Sequence, residues 1–384
     1  MNTMEQKLAE TLTERVLKLV NADSTEFADS VMAVDSSFYT DPEQWRAECE
    51  LMENVPTIAA PSAMLRESHQ YVARTVNNHR RILITRDEAG KAHVFLNACR
   101  HRGSVLVDDG EGCQKRFTCP YHNWTYATDG GLKGVPFQQG FEGMDKAAHG
   151  LLELPSEEKY GLIWYILNPK AELDVDASLG ELSGELAQWK YQDYEYISHN
   201  HYAVQANWKN AVEAFAEFYH FKFVHANSLV GQGTISNVTA MDTYGYHTRL
   251  LSPLATITEL NDNPQPYHGT QHLAVVYNVF PNLIIANSPI GVECLQIMPG
   301  NSPDTVMLYY VGMANMRIDD EETMAGYKTL FEGMQEVAEE DLTAMVACTT
   351  GINSGLPNIV FGKNEPGNQH FIRSVKSASE AYKK

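Results

Sequence analysis

Cysteine is scarce: six in 384 residues, too few to staple a fold, so a disulfide scaffold is excluded and a reducing, cytoplasmic setting is expected. No run of 18 apolar residues occurs, which argues against a transmembrane helix. The N-terminus lacks a basic leader followed by an apolar core. Leu8, Leu12, Val16 and Leu19 recur there at helical spacing instead, predicting an amphipathic helix and no signal peptide. Basic residues are also in deficit, 29 Lys and Arg against 49 Asp and Glu for a net charge of −20, a poor match for nucleic-acid phosphates. The segment GQGTIS has G-x-G without the third glycine and follows a helical stretch, so no dinucleotide site is expected. Neither an internal repeat nor a low-complexity tract is present.

What the chain does contain changes character along its length. Residues 1–50 read as a mostly helical segment. From 51 to 167, YVARTV, RRILITRDEAGKAHVFLNAC and YGLIWYIL alternate as strands with turn residues between them, predicting a small all-β module. From 168 to 384 the pattern mixes. LAVVYNVFPNLIIANSP, VECLQIMPG and DTVMLYYVGMANMRI read as strands, and DEETMAGYKTLFEGMQEVAEEDLTAMVACTTGI reads as a long helix opened by acidic residues. The whole is predicted to be α+β, its last part an antiparallel sheet gripped by helices.

Two constellations carry chemistry. Cys99, His101, Cys119 and His122 form C-x-H-x17-C-x2-H, each half supplying one thiolate and one imidazole. Zinc or an iron–sulfur cluster suits such a set. The split matches a [2Fe–2S] centre with two cysteines on one iron and two histidines on the other, the known Rieske ligation. Cys113 falls inside the intervening loop at no motif position and is read as a bystander. The second constellation is E-x3-E-x2-H-x4-H, comprising Glu213, Glu217, His220 and His225. On a continuous helix Glu213, Glu217 and His220 share a face. His220 and His225 then stand about 140° apart, so both reach one ion only if the helix ends or bulges between them. Two imidazoles and one carboxylate with open positions suit an O2-activating Fe(II). The pairs His199/His201 and His268/His272 are read as ordinary surface histidines.

NACRHRG, CPYHNWTY and DGGLKGVP, followed by NWK, YH-x4-H and HANSL, resemble the Rieske non-haem iron oxygenases, specifically the terminal oxygenase α subunits of the aromatic-ring-hydroxylating dioxygenase type. Asn123 departs from the family pattern, since many members have Gly there. So do Glu217, where Asp is commoner, and Ala214, where many have Asn. The resemblance covers roughly residues 50–375. It implies a Rieske [2Fe–2S] β-sandwich domain over 51–167 and a helix-grip catalytic domain over 168–384, with the 1–50 segment packed on the latter.

It further implies a cluster on Cys99, His101, Cys119 and His122, and mononuclear iron on His220, His225 and Asp341, the last from the EED run that also offers Glu339 and Glu340. Glu217 becomes a bridge between His122 of one subunit and His220 of the next in a head-to-tail α3 homotrimer, with or without a β subunit. Electrons from NAD(P)H would arrive through a separate reductase, directly or by a ferredoxin, and O2 would be incorporated into an organic substrate. An aromatic or alicyclic compound is expected, as in aromatic hydrocarbon catabolism. A quaternary ammonium compound is the alternative, hinted at by Glu217. Phe215, Phe218, Phe221 and Phe223 either line its pocket or belong to the core. A non-catalytic Rieske electron carrier or redox sensor is the competing class.

Overall fold

The computed structural model describes residues 6–263 and 270–383; His268 lies outside them. The chain divides into two compact units, Met52–Ser178 and the combination of Met1–Leu51 with Leu179–Lys384.

The smaller unit is built from three antiparallel sheets. One orders Ala92–Leu96, Arg80–Arg86, Gln70–Val76 and Gly110–Cys113. Another holds Arg116–Thr118, Thr125–Ala127 and Leu132–Gly134. The third holds Ser156–Lys159, Leu162–Tyr165 and Thr57–Pro61. Alternation explains the first sheet: Ala73, Leu83 and Phe95, paired across three strands, turn to one face and are essentially buried. Phe95, Phe117, Trp124 and Tyr126 form a core that also encloses Cys99 and Cys119. The segment after Asn168 stays with this unit. Asn168 hydrogen-bonds back to the Glu53 carbonyl at 2.8 Å, and Lys159 pairs with Asp176 at 2.7 Å.

The larger unit centres on a seven-stranded antiparallel sheet. Its order is Glu195–Val204, Val306–Ala314, Gly291–Pro299, Leu283–Ser288, Leu273–Val279, His247–Pro253 and Ala240–Tyr244. The helix Glu321–Asn353 runs along it, capped by Asp320, whose side chain accepts a hydrogen bond from the Thr323 amide at 2.7 Å. Close packing needs Gly312, because a Cβ there would overlap the Phe331 ring.

The N-terminal helix Gln6–Asn21 buries Ala9, Leu12 and Val16. Its Arg15 bonds both carboxylate oxygens of Asp242 at 2.9 Å. Met32–Asp35 is a strand paired with Asn358–Phe361, within a segment whose sequence reads as mostly helical. Lys209, wholly buried, is held by Glu48 at 2.6 Å, and Trp208 Nε1 donates to the same carboxylate at 2.7 Å. Among the described residues no helix is long and apolar enough to cross a membrane.

Candidate metal centres

In the smaller unit the loop after Leu96 and the loop after Thr118 each bring one cysteine and one histidine inward. Cys99 and Cys119 are buried, each with a free thiol. The Tyr126 hydroxyl lies 3.3 Å from Cys99 Sγ. Burial pushes the Cys119 thiol up, but the Tyr121 and His122 amides and the Cys99 and Ser104 side chains outweigh it and bring it below its ordinary value. Converging donors of this kind favour a thiolate.

The His101 and His122 rings stand 4.6 Å apart. Trp124 stacks on His101 at 4.9 Å, and Tyr121 covers His122 at 3.8 Å. Both imidazoles keep Nδ1 buried without any hydrogen-bond partner. Two orphaned nitrogens beside two buried thiols are a poor arrangement for an empty protein interior and a good one for a metal cluster. Asn123, directly after the second half-motif, has φ +56°, the left-handed region that Asn tolerates better than most side chains and Gly better still. Cys113 is exposed on its strand.

In the larger unit, Asn207 caps the helix Trp208–Ala214 by accepting from the Lys209 amide at 2.9 Å. A continuous helix through His225, which would hold the two histidines apart, does not form. Glu217 turns its carboxylate onto the Tyr219 and His220 amides, offering the backbone a local alternative to the helical ladder. A single helical turn, Phe221–Val224, then separates His220 from His225. This break lets both imidazoles face one carboxylate. Asp341 Oδ1, from the long helix, lies 3.3 Å from His220 Nε2 and 3.1 Å from His225 Nε2. Ligand atoms of the three residues all lie within 4.8 Å of one another.

The far side of each ring is also held. His220 Nδ1 donates to Glu217 Oε1 at 2.5 Å, and His225 Nδ1 donates to Glu340 Oε2 at 2.7 Å. Each imidazole is thereby fixed with Nε2 inward, as carboxylate–histidine–metal arrangements require. Neither Nε2 has a hydrogen-bond partner. Burial would lower His220, but the neighbouring carboxylates of Asp341 and Glu217 raise it to about 10. Asp341, despite its burial, is held below the ordinary carboxylate range by the two imidazoles. A cation bound between the imidazoles would satisfy the same carboxylate.

Glu340, offered by the EED run only as a competing ligand, instead orients His225. Its adjacency to Asp341 was visible, but its reach to His225 was not. Glu339 is exposed. Glu213 accepts from the Tyr39 hydroxyl at 2.6 Å and does not join the three-ligand group. Gly231 has its own reason to be glycine, because a Cβ there would collide with the His225 carbonyl oxygen.

A cavity of about 410 Å³ opens beside Asp341 and His225. Phe215, Phe218 and Phe221 line it with Val276, Ile284 and Leu295. Phe223 does not, being 67% exposed. On the opposite side of the centre, a second hollow of about 380 Å³ reaches His220, Glu217 and Asn210. His199 and His201 lie on the strand Glu195–Val204 beside Tyr196 and Tyr309. His272 lies 3.0 Å from the Thr256 hydroxyl. Neither position takes part in the three-ligand group.

Comparison with known proteins follows this division. Residues 56–148 match the Rieske [2Fe–2S] domain model, and residues 189–381 match the ring hydroxylating alpha subunit (catalytic domain) model. The oxygenase subunit of glycine betaine monooxygenase from Chromohalobacter salexigens is 30% identical over 197 residues, 50% of this chain and 44% of that protein. The anthranilate 1,2-dioxygenase large subunit of Acinetobacter baylyi is 29% identical over 206 residues, 52% of this chain and 44% of that protein. The chain thus spans about half the length of the curated relatives it matches. Among solved structures, the quaternary ammonium Rieske monooxygenase CntA superposes with a TM-score of 0.77 at 20% identity, covering 94% of this chain and 96% of that one. Naphthalene 1,2-dioxygenase from Rhodococcus sp. gives 0.72 at 20% identity, covering 98% and 99%. These two likenesses support the fold.

Proposed function

The chain belongs to the family of ring-hydroxylating oxygenase α subunits with a Rieske domain, and from that premise we propose that it is the terminal oxygenase of a Rieske non-haem iron system. The observation that carries the reading is Asp341 between two inward-facing imidazole Nε2 atoms, on the wall of an apolar cavity. In this assignment Cys99, His101, Cys119 and His122 hold a [2Fe–2S] cluster, and His220, His225 and Asp341 hold Fe(II). When bound, the cluster supplies single electrons and the iron supplies reductive activation of O2.

The chain's own residues supply position and exclusion. Glu217 and Glu340 fix the two rings. Phe215, Phe218 and Phe221 wall the cavity with carbon, so that a bound organic molecule displaces water beside Asp341. Glu217 is assigned as the hydrogen-bonded link between His220 and His122 of a neighbouring copy in a homotrimer. A separate reductase, with or without a ferredoxin, draws on NAD(P)H, and a β subunit is compatible with the reading. We assign the protein to the cytoplasm. An aromatic or alicyclic substrate fits the apolar wall. A second reading, a monooxygenase or N-demethylase of a quaternary ammonium compound, is favoured by a cavity lining with carboxylates but no Lys or Arg.

Reconstituted protein tests the proposal. About three irons and two acid-labile sulfides per chain are expected, with His220→Ala keeping two irons and losing substrate-dependent O2 consumption in the presence of a generic reductase. Two irons in wild-type protein, with O2 consumption unaffected by His220→Ala, would make it an electron carrier.

A further inference from the structure

The polar groups of the cavity are, with one exception, already committed. Glu217 and Asp341 face histidines. Asn287 accepts from the Tyr191 hydroxyl at 3.0 Å and donates to the Val275 carbonyl at 3.2 Å. The Thr234 hydroxyl donates to the Val230 carbonyl at 2.6 Å. The exception is Glu293, on the strand Gly291–Pro299. It also lines the cavity, and its Oε1 accepts one hydrogen bond, from the Tyr310 hydroxyl at 2.8 Å. Its directly opposed cross-strand neighbours are Ala286 and Gly312, the smallest residues available, so among the described residues of the two adjacent strands only the Tyr310 hydroxyl hydrogen-bonds the carboxyl.

No Lys or Arg lines the cavity to balance this group. Burial lifts its carboxyl to about 7, with the negative Asp341 adding to the effect. A carboxyl in an apolar wall, with one hydroxyl for company and no counter-charge, costs stability that Gln or Leu would avoid. Such a cost at a cavity wall is the signature of a group kept for a ligand.

We propose that Glu293 is the specificity-determining residue of the cavity, taking the positively charged nitrogen of a substrate that is otherwise apolar. The inference rests on the oxygenase reading above and narrows its substrate class to organic ammonium compounds. The ligand's charge supplies what the wall lacks, while its carbon body packs on the phenylalanines. Carboxylate substrates are disfavoured by the same geometry, since a second carboxylate would meet Glu293 with no Lys or Arg on the wall to pair it.

The test uses the full reconstituted chain and calorimetric titration with three probes of similar body: benzyltrimethylammonium, benzyl alcohol and benzoate. The ammonium is expected to bind about ten- to a hundredfold more tightly than the alcohol, the range of a hydrogen-bonded or paired charge, with no binding of benzoate. Glu293→Gln, which retains an acceptor for Tyr310, should abolish that preference and leave the alcohol unchanged. Tyr310→Phe, which keeps the carboxyl, should preserve it. Equal binding of alcohol and ammonium by wild-type protein overturns the proposal even if the Gln variant fails to fold, as does an unchanged preference in that variant. Iron and sulfide are counted on the same samples. Three irons without ammonium preference refutes only the role of Glu293, whereas two irons refutes the oxygenase reading whatever binds.

Discussion

Replacing Glu340 with Ala removes the 2.7 Å hydrogen bond that holds His225 Nδ1 and leaves every proposed ligand in place. Outer carboxylates of this kind are worth about 10- to 100-fold in metal affinity, or roughly 1.4–2.7 kcal/mol. Exposure decides where in that range each one falls. The Glu340 side chain is 38% exposed, so water can replace it and the loss should sit near tenfold. The Glu217 side chain is 10% exposed and also restrains two backbone amides, so Glu217→Ala should lie toward a hundredfold. The assay is competition of a graded chelator for iron in reconstituted protein, with cluster absorbance as an internal standard. Only the third iron should become labile. Glu340→Gln, which restores an acceptor, should recover most of the affinity. If the alanine variant retains wild-type affinity, or sheds cluster and mononuclear iron together, the orienting role of Glu340 is wrong.

Gly231→Ala should displace the His225 carbonyl and cost the third iron while the cluster spectrum stays intact, as a metal count with absorption spectroscopy would show. Asn123→Val puts a β-branched residue at φ +56° and should destabilise the cluster-bearing unit by about 1–3 kcal/mol. Asn123→Gly should be tolerated, and thermal loss of the cluster signal compares the two. Burial raises Glu213 from an ordinary 4.5 to about 7, so the folded state binds the extra proton. Its contribution is complete below pH 4.5 and is lost as pH rises through 7, by up to about 3 kcal/mol. Glu213→Gln should therefore narrow the difference between melting temperatures measured at pH 5 and pH 8, and an unchanged difference would contradict the assignment.

Local features were legible in the sequence, and long-range ones were not. C-x-H and C-x2-H reside in two loops, and their ligand types speak without knowledge of the fold. The alternating strands and the long helix opened by acidic residues are equally plain. That a shared ion needs a break between His220 and His225 follows from helix geometry, but where it falls does not, because periodicity cannot register a glutamate that captures its own downstream amides. Met32–Asp35 shows as a strand only once Asn358–Phe361 lies beside it. Glu340 and Glu293 could not be singled out either. One meets a histidine 115 residues away, and the other matters only because a cavity opens in front of it.

The helix Glu321–Asn353 carries Leu330, Met334, Val337 and Ala338 on the cavity wall and Asp341 at its edge. From 330 to 341 it acts as a rod about 16 Å long, pinned by Phe331 against Gly312. Room for a bulkier molecule therefore cannot come from sliding or tilting this element, because the same movement would drag Asp341 off the histidines. The chain can alter its ligand range only by trimming side chains on a stationary rod, with Met334 the most yielding. Variation in accepted molecules is thus mechanically separated from the metal-binding geometry.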